Sequence, residues 1–117
     1  IEVDPEQLIQ VLHNLTQNAI QACERASSGG SVRLEAQCMD TNMLEIRVED
    51  TGDGIPTEDL PRVFSPYYSR REGGTGLGLS IVKHLIHSMG GDIHVSSEPG
   101  VGSCFRFSLP CQEAGKA

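Results

Sequence analysis

The sequence predicts an α+β fold: a two-layer sandwich with one antiparallel or mixed sheet carrying about three helices on one face. Three observations predict it. Apolar residues recur at helical spacing in two long segments, around Leu8–Ala22 and Ile81–Met89. Four short segments alternate polar and apolar residues, as half-buried strands do. These four fall into two pairs, each joined by a turn-forming run, so hairpins and helices are segregated along the chain.

Asp4-Pro5-Glu6-Gln7 opens the first helix, with Asp as N-cap, Pro at the first helical position and Gln three after the cap. Leu8, Leu12, Leu15, Ala19 and Ala22 form its core stripe. Asn14, Asn18 and Gln21 form a polar stripe along its edge, although Asn is a poor helix former. Ser27-Ser28-Gly29-Gly30 ends the helix.

Ser31 to Cys38 alternates with Val32, Leu34 and Ala36 on one face, and Met43 to Glu49 with Leu44, Ile46 and Val48. Asp40-Thr41-Asn42 joins them. A Gly-rich loop runs from Asp50 to Pro56, and Thr57 to Val63 reads as a short helix capped by Thr57. Ser65 to Thr75 shows no apolar period and reads as a loop. Gly76 to Met89 reads as the next helix, with Ile81, Val82, Leu85, Ile86 and Met89 inward and Gly90-Gly91 as its stop. Asp92 to Ser97 and Ser103 to Leu109 form the second hairpin around Glu98-Pro99-Gly100. One domain, 1–110, is expected, followed by a frayed tail, 111–117.

Composition narrows the partners. The formal net charge of −7 argues against non-specific binding to nucleic acid or to an anionic membrane surface. The sequence reads without a signal peptide and without an apolar run near the ~18 residues of a membrane span. The four cysteines, Cys23, Cys38, Cys104 and Cys111, form no C-x-x-C pair and read as reduced thiols, which suits a cytoplasmic setting. The start at Ile1, close to a helix start, reads as a piece of a longer protein.

Two glycine segments carry the chemistry. In "DTGDGIP" after a strand, Gly52 and Gly54 permit positive φ and close approach of a ligand, and the Asp50 carboxylate suits an exocyclic amine such as that of adenine. The same residues also suit a plain tight turn. "GGTGLGLS" runs straight into an amphipathic helix, where exposed N–H groups at a helix start make a phosphate cradle, or simply a structural loop. It is neither the dinucleotide fingerprint, which needs a parallel βαβ unit, nor a P-loop, which needs Gly-Lys-Ser/Thr.

Taken together and in order, "NLTQNAIQA", "DTGDGIP", "VFSPYYS" and "GTGLGLS" resemble the N, first Gly, aromatic and second Gly motifs of the ATP-binding catalytic domain of sensor histidine kinases, within the Bergerat-fold superfamily. The resemblance spans essentially the whole chain and is nearest the nitrogen-sensor-like branch. It implies ATP and Mg²⁺ as cofactors, with Asn18 as the Mg²⁺ ligand, Asn14 bonding to phosphate or to a metal-bound water, and Gln21 and Tyr68 as further ATP-binding residues. It implies Asp50 accepting from the adenine amine, Gly52, Gly54 and Ile55 lining the purine, Gly74, Thr75, Gly76, Leu77, Gly78 and Leu79 wrapping the phosphates, and Ser103 near an adenine-bound water. Phe64, Tyr67 and Tyr68 would pin the base of the following loop.

Gln21 stands where many of these kinases carry Lys or Arg, so Arg70 and Arg71 are the expected γ-phosphate cations, ahead of Lys83 and His84. Hydrolysing relatives place a Glu one turn before the metal Asn. Asn14 stands there instead, and an amide cannot act as a base. None of His13, His84, His87 or His94 has the acidic-flanked context of a phosphoacceptor. The resemblance therefore implies transfer to a histidine on a separate dimerisation domain, and from there to the receiver domain of a response regulator. The chain itself is expected to be a cytoplasmic monomer without membrane contact, in a parent protein that can carry an anchor.

Overall fold

The computed structural model describes residues 4–26, 30–39, 42–66 and 78–110. Their order is α1 (Pro5–Arg25), β1 (Val32–Met39), β2 (Met43–Asp50), a 3-10 helix (Thr57–Arg62), α2 (Gly78–Ser88), β3 (Asp92–Glu98) and β4 (Gly102–Pro110). The strands form one sheet in the order β1-β2-β4-β3, antiparallel throughout. The α+β prediction holds, and of the two sheet types expected the antiparallel one is found.

α1 starts where its sequence says. The Asp4 carboxylate accepts from the backbone N–H groups of Glu6 and Gln7, satisfying two of the donors that a helix start leaves open. Its buried stripe centres on Val11, Leu15 and Ala19, with Leu8 and Leu12 partly buried on the flank. Val11 was absent from the predicted stripe, yet it lies one turn before Leu15 and is fully buried. α2 begins at Gly78; the predicted first turn at 76–77 lies outside the described residues. Its end follows the glycine pair: Gly91 N–H donates to the Ile86 carbonyl at 2.9 Å and Gly90 N–H to that of His87 at 3.0 Å, with Gly90 at φ 84°. This is a Schellman closure, and the positive φ is what Gly90 supplies.

Three expectations fail. Thr57 does not cap the short helix: Pro56 is its N-cap, with no side-chain cap bond. The element is a 3-10 helix that contains Pro61, whose ring would clash with the carbonyl four residues earlier in an α-helix. Ile81 is not inward; it is 36% exposed, on the flank of α2 whose buried residues are Val82 and Ile86. On β1, Leu34 and Ala36 share the sheet face of Val48 and Ile46 but are exposed, Leu34 at 49%. β1 is the edge strand, and among the strands α1 lies mainly over β2. Alternation marks the face a strand offers, while cover depends on the layer above.

The covered face is continuous across β2 and β4. Leu44, Ile46 and Val48 stand beside Leu109, Phe107 and Phe105, all buried against α1 and α2. The opposite face is polar. There Arg47 donates to Glu45 at 3.0 Å, and Cys104 faces Glu49 across the ladder. Partial burial, reinforced by the nearby Glu49 charge, pushes the Cys104 thiol above its ordinary range. At the start of β3, Asp92 accepts from the Ile93 N–H, which holds its carboxyl below the ordinary range, and His94 and His87 add in the same direction. His13, His84, His87 and His94 are all exposed, as predicted for His13 and His84 on the helix surface; His94 is in β3. Among the described residues no helix is long and apolar enough to cross a membrane.

Two outcomes test this core. Leu15→Ala should lower unfolding free energy by about 2–5 kcal/mol, because it leaves a cavity at the centre of the α1 contact. Leu34→Ala on the uncovered strand should change it by less than about 0.5 kcal/mol; urea unfolding reads both. Because the Cys104 thiol is raised, its alkylation by iodoacetamide should still climb with pH above the ordinary thiol range. Peptide mass spectrometry follows it, and a plateau below that range would contradict the burial argument.

Candidate nucleotide site

Asp50 closes β2, buried at 8% exposure, directly across the ladder from Ser103, also 8% exposed. Its Oδ1 accepts from the Gly52 N–H at 2.9 Å, so the carboxylate organises the turn that follows it. That turn is clamped to α1. The Asp53 N–H donates to the Ala22 carbonyl at 3.3 Å, and a Cβ at Gly52 would collide with the Ala22 backbone. Gly54 has φ 76°, and a Cβ there would strike the Glu98 carbonyl. The glycines thus have a use the sequence did not reveal. Gly52 has no positive φ and is needed for space against α1, whereas Gly54 is needed for both conformation and space.

Ser97 was missed by sequence reasoning. Its hydroxyl accepts from the Ile55 N–H at 2.8 Å and reaches the Gly102 carbonyl and the Ser103 hydroxyl, each at 2.9 Å. One hydroxyl has one proton. With that proton on Gly102, Ser103 donates to Ser97, and the three residues fix the loop at Ile55 to the β3–β4 hairpin. The Gly100 N–H adds a bond to the Asp53 carbonyl at 2.8 Å. A serine in an alternating strand carries no sequence signal for this role.

α1 connects the two glycine segments. The Asn14 side-chain N–H donates to the Gly78 carbonyl at the start of α2, a long contact of 3.5 Å. Ala22, two turns further along α1, carries the Asp50 loop. Asn18 lies between them, one turn from each, and Asn14, Asn18 and Gln21 are all half-buried. The helix therefore presents its amide stripe between the Asp50 turn and the start of α2. Among the described residues, a Cβ at Gly78 would meet no atom within 4 Å. Ile55 is buried and Leu79 partly buried against the core. Of the predicted site residues, Asn14, Asn18, Gln21, Asp50, Gly52, Gly54, Ile55, Gly78, Leu79 and Ser103 are described. Tyr68, Arg70, Arg71, Gly74, Thr75, Gly76 and Leu77, with Tyr67, lie outside the described residues.

The donor set bears on a cation. Among the described residues no cluster of three His, Cys, Asp or Glu side chains could hold a metal. The half-buried Asn18 side chain carries an amide oxygen of the kind that suits a hard cation taking its remaining ligands from phosphate and water.

The family model described as Histidine kinase-, DNA gyrase B-, and HSP90-like ATPase matches residues 3–113. The sensor histidine kinase ZraS of Salmonella typhimurium is 42% identical over 110 residues, covering 94% of this chain and 23% of that protein. The sensor histidine kinase RcsC of the same organism is 44% identical over 113 residues, covering 92% of this chain and 11% of that protein. Among solved structures, the catalytic domain of histidine kinase ThkA superposes with a TM-score of 0.79 at 35% identity, covering 94% of this chain and 70% of that one. Full-length ShkA in complex with AMPPNP superposes with a TM-score of 0.81 at 34% identity, covering 94% of this chain and 22% of that one.

If the Asn14 contact ties the helices, Asn14→Asp should cost the protein about 1 kcal/mol without any nucleotide, since an acceptor then faces the Gly78 carbonyl. Urea unfolding of the two proteins decides it, and equal stabilities would remove the tie.

Proposed function

Since this chain belongs to the histidine kinase-, DNA gyrase B- and HSP90-like ATPase family, we propose that it is the ATP-binding catalytic domain of a sensor histidine kinase. It spans less than a quarter of ZraS, so the transfer reaction is assigned here to a larger assembly. One observation carries the reading: a single helix bonds to both glycine segments, at Asn14 and at Ala22, and Asn18 stands one turn along the helix from each.

In this reading Asp50 accepts from the adenine amine, and the Ser97-pinned loop holds Ile55 against the purine. The start of α2 offers backbone N–H groups to the phosphates, where the helix dipole favours negative charge. Asn18 would hold Mg²⁺ through its amide oxygen. Mg²⁺ supplies neutralisation of charge on the phosphates during transfer. Arg70 and Arg71 are the proposed cations for the γ-phosphate.

The γ-phosphoryl group goes to a histidine on a separate dimerisation domain, and then to an aspartate of a response regulator. An imidazole is itself a good nucleophile, so no base is needed from this domain. Asn14 fits that economy: its amide has no basic lone pair for water, and its N–H already faces the Gly78 carbonyl. This is what favours histidine transfer over ATP hydrolysis by the domain.

Titration calorimetry with ATP, with and without Mg²⁺, tests the site. Asp50→Asn should weaken binding by at least about tenfold, the worth of a charge-assisted hydrogen bond. Asn18→Ala should abolish the Mg²⁺-dependent gain while leaving metal-free binding. Wild-type affinity in both variants would end the assignment. Mixing the domain with a purified dimerisation domain and labelled ATP then separates a kinase from a nucleotide-sensing module: only the kinase labels histidine.

A further inference from the structure

Lys83 lies on an exposed side of α2, with its ammonium nitrogen 5.4 Å from the centroid of the Phe64 ring. Phe64 in turn meets Phe105 of β4 edge-on, the ring centroids 6.0 Å apart and the planes at 77°. The half-buried ring therefore packs T-shaped on a core ring and has a cation over its face. An ammonium is attracted to that face by the ring quadrupole, more strongly as water is removed.

The placement matters because of where the chain runs. Phe64 follows the 3-10 helix and lies three positions before residue 67, while Lys83 lies five residues after Gly78. The contact joins the two stems that bracket residues 67–77, the stretch containing most of the second glycine segment. Asn14 grips the same helix at Gly78. Gly78 and Lys83 are separated by about 140° around the helix axis, so the two ties hold different sides of α2.

We infer that Lys83 is a positioning residue for nucleotide binding, which acts through Phe64 to fix the start of α2 relative to the Ile55 loop. The inference rests on the nucleotide reading of this site. Lys83 is not required to touch the nucleotide.

The test is a double-mutant cycle in the 117-residue chain, read by calorimetric Kd for Mg²⁺–ATP. Lys83→Met keeps the aliphatic stem and should weaken binding about two- to fivefold. Lys83→Arg keeps the charge over the ring and should restore wild-type affinity. Phe64→Leu should weaken binding, and adding Lys83→Met to it should weaken it no further. Unchanged affinity in Lys83→Met, failure of Arg to restore it, or losses that multiply in the double variant would overturn the inference. So would a Lys83→Met loss that only follows a fall in the urea midpoint. A wild type that binds no nucleotide overturns the functional reading and this inference together, whereas a binding wild type with an indistinguishable Lys83→Met overturns this inference alone.

Discussion

The site depends on one close approach: the backbone of the Asp50 turn against the backbone of α1 at Ala22. Gly52 has no room for a side chain there, and the Asp53 N–H completes the contact with a hydrogen bond. Everything downstream uses the resulting geometry. Asp50 is turned inward by its bond to the Gly52 N–H, and Ser97 can hold Ile55 because the loop between them is already fixed. A larger residue at 52 would push the loop from the helix and move Asp50 away from the amide stripe. The requirement is steric before it is electrostatic.

The hydrophobic layer works to the same end. α1 buries Val11, Leu15 and Ala19 against α2 and β2, which fixes its rotation about its own axis. Once that face is committed, Asn14 and Asn18 must lie on its flank, since side chains three and four residues apart share a side. The amides occupy helix positions that are poor by propensity, and packing elsewhere along the helix offsets this. The opening turn contributes a side-chain cap at Asp4. Stability is thus concentrated on one side of α1, and the other flank carries the amides proposed for binding.

Much of this was legible beforehand. Helical spacing, the Asp4 cap, the Gly90-Gly91 stop and the two hairpins follow from local rules, and the structure has each of them. The motif order pointed to the family before any fold was seen. Other features were not local. Whether Leu34 is covered depends on where α1 lies, about which β1 itself says nothing. The roles of Gly52 and Gly54 depend on neighbours some 30 to 45 positions away in the chain, Ala22 and Glu98. Ser97 is an ordinary strand serine until the Ile55 N–H is brought to it. The short helix was predicted as capped by Thr57, whereas Pro56 is its N-cap and Thr57 is already its first residue.

The edge position of β1 has a colloidal consequence. A strand with one free side and a partly apolar face is a template for adventitious sheet growth. The opposite side of the same strand carries the Arg33–Glu35 ion pair and Gln37, and such charges act as gatekeepers against that growth. Screening by salt weakens repulsion between exposed charges. Self-association through this edge is therefore expected to respond to ionic strength, and it would start at the rim of the sheet rather than at the proposed nucleotide site.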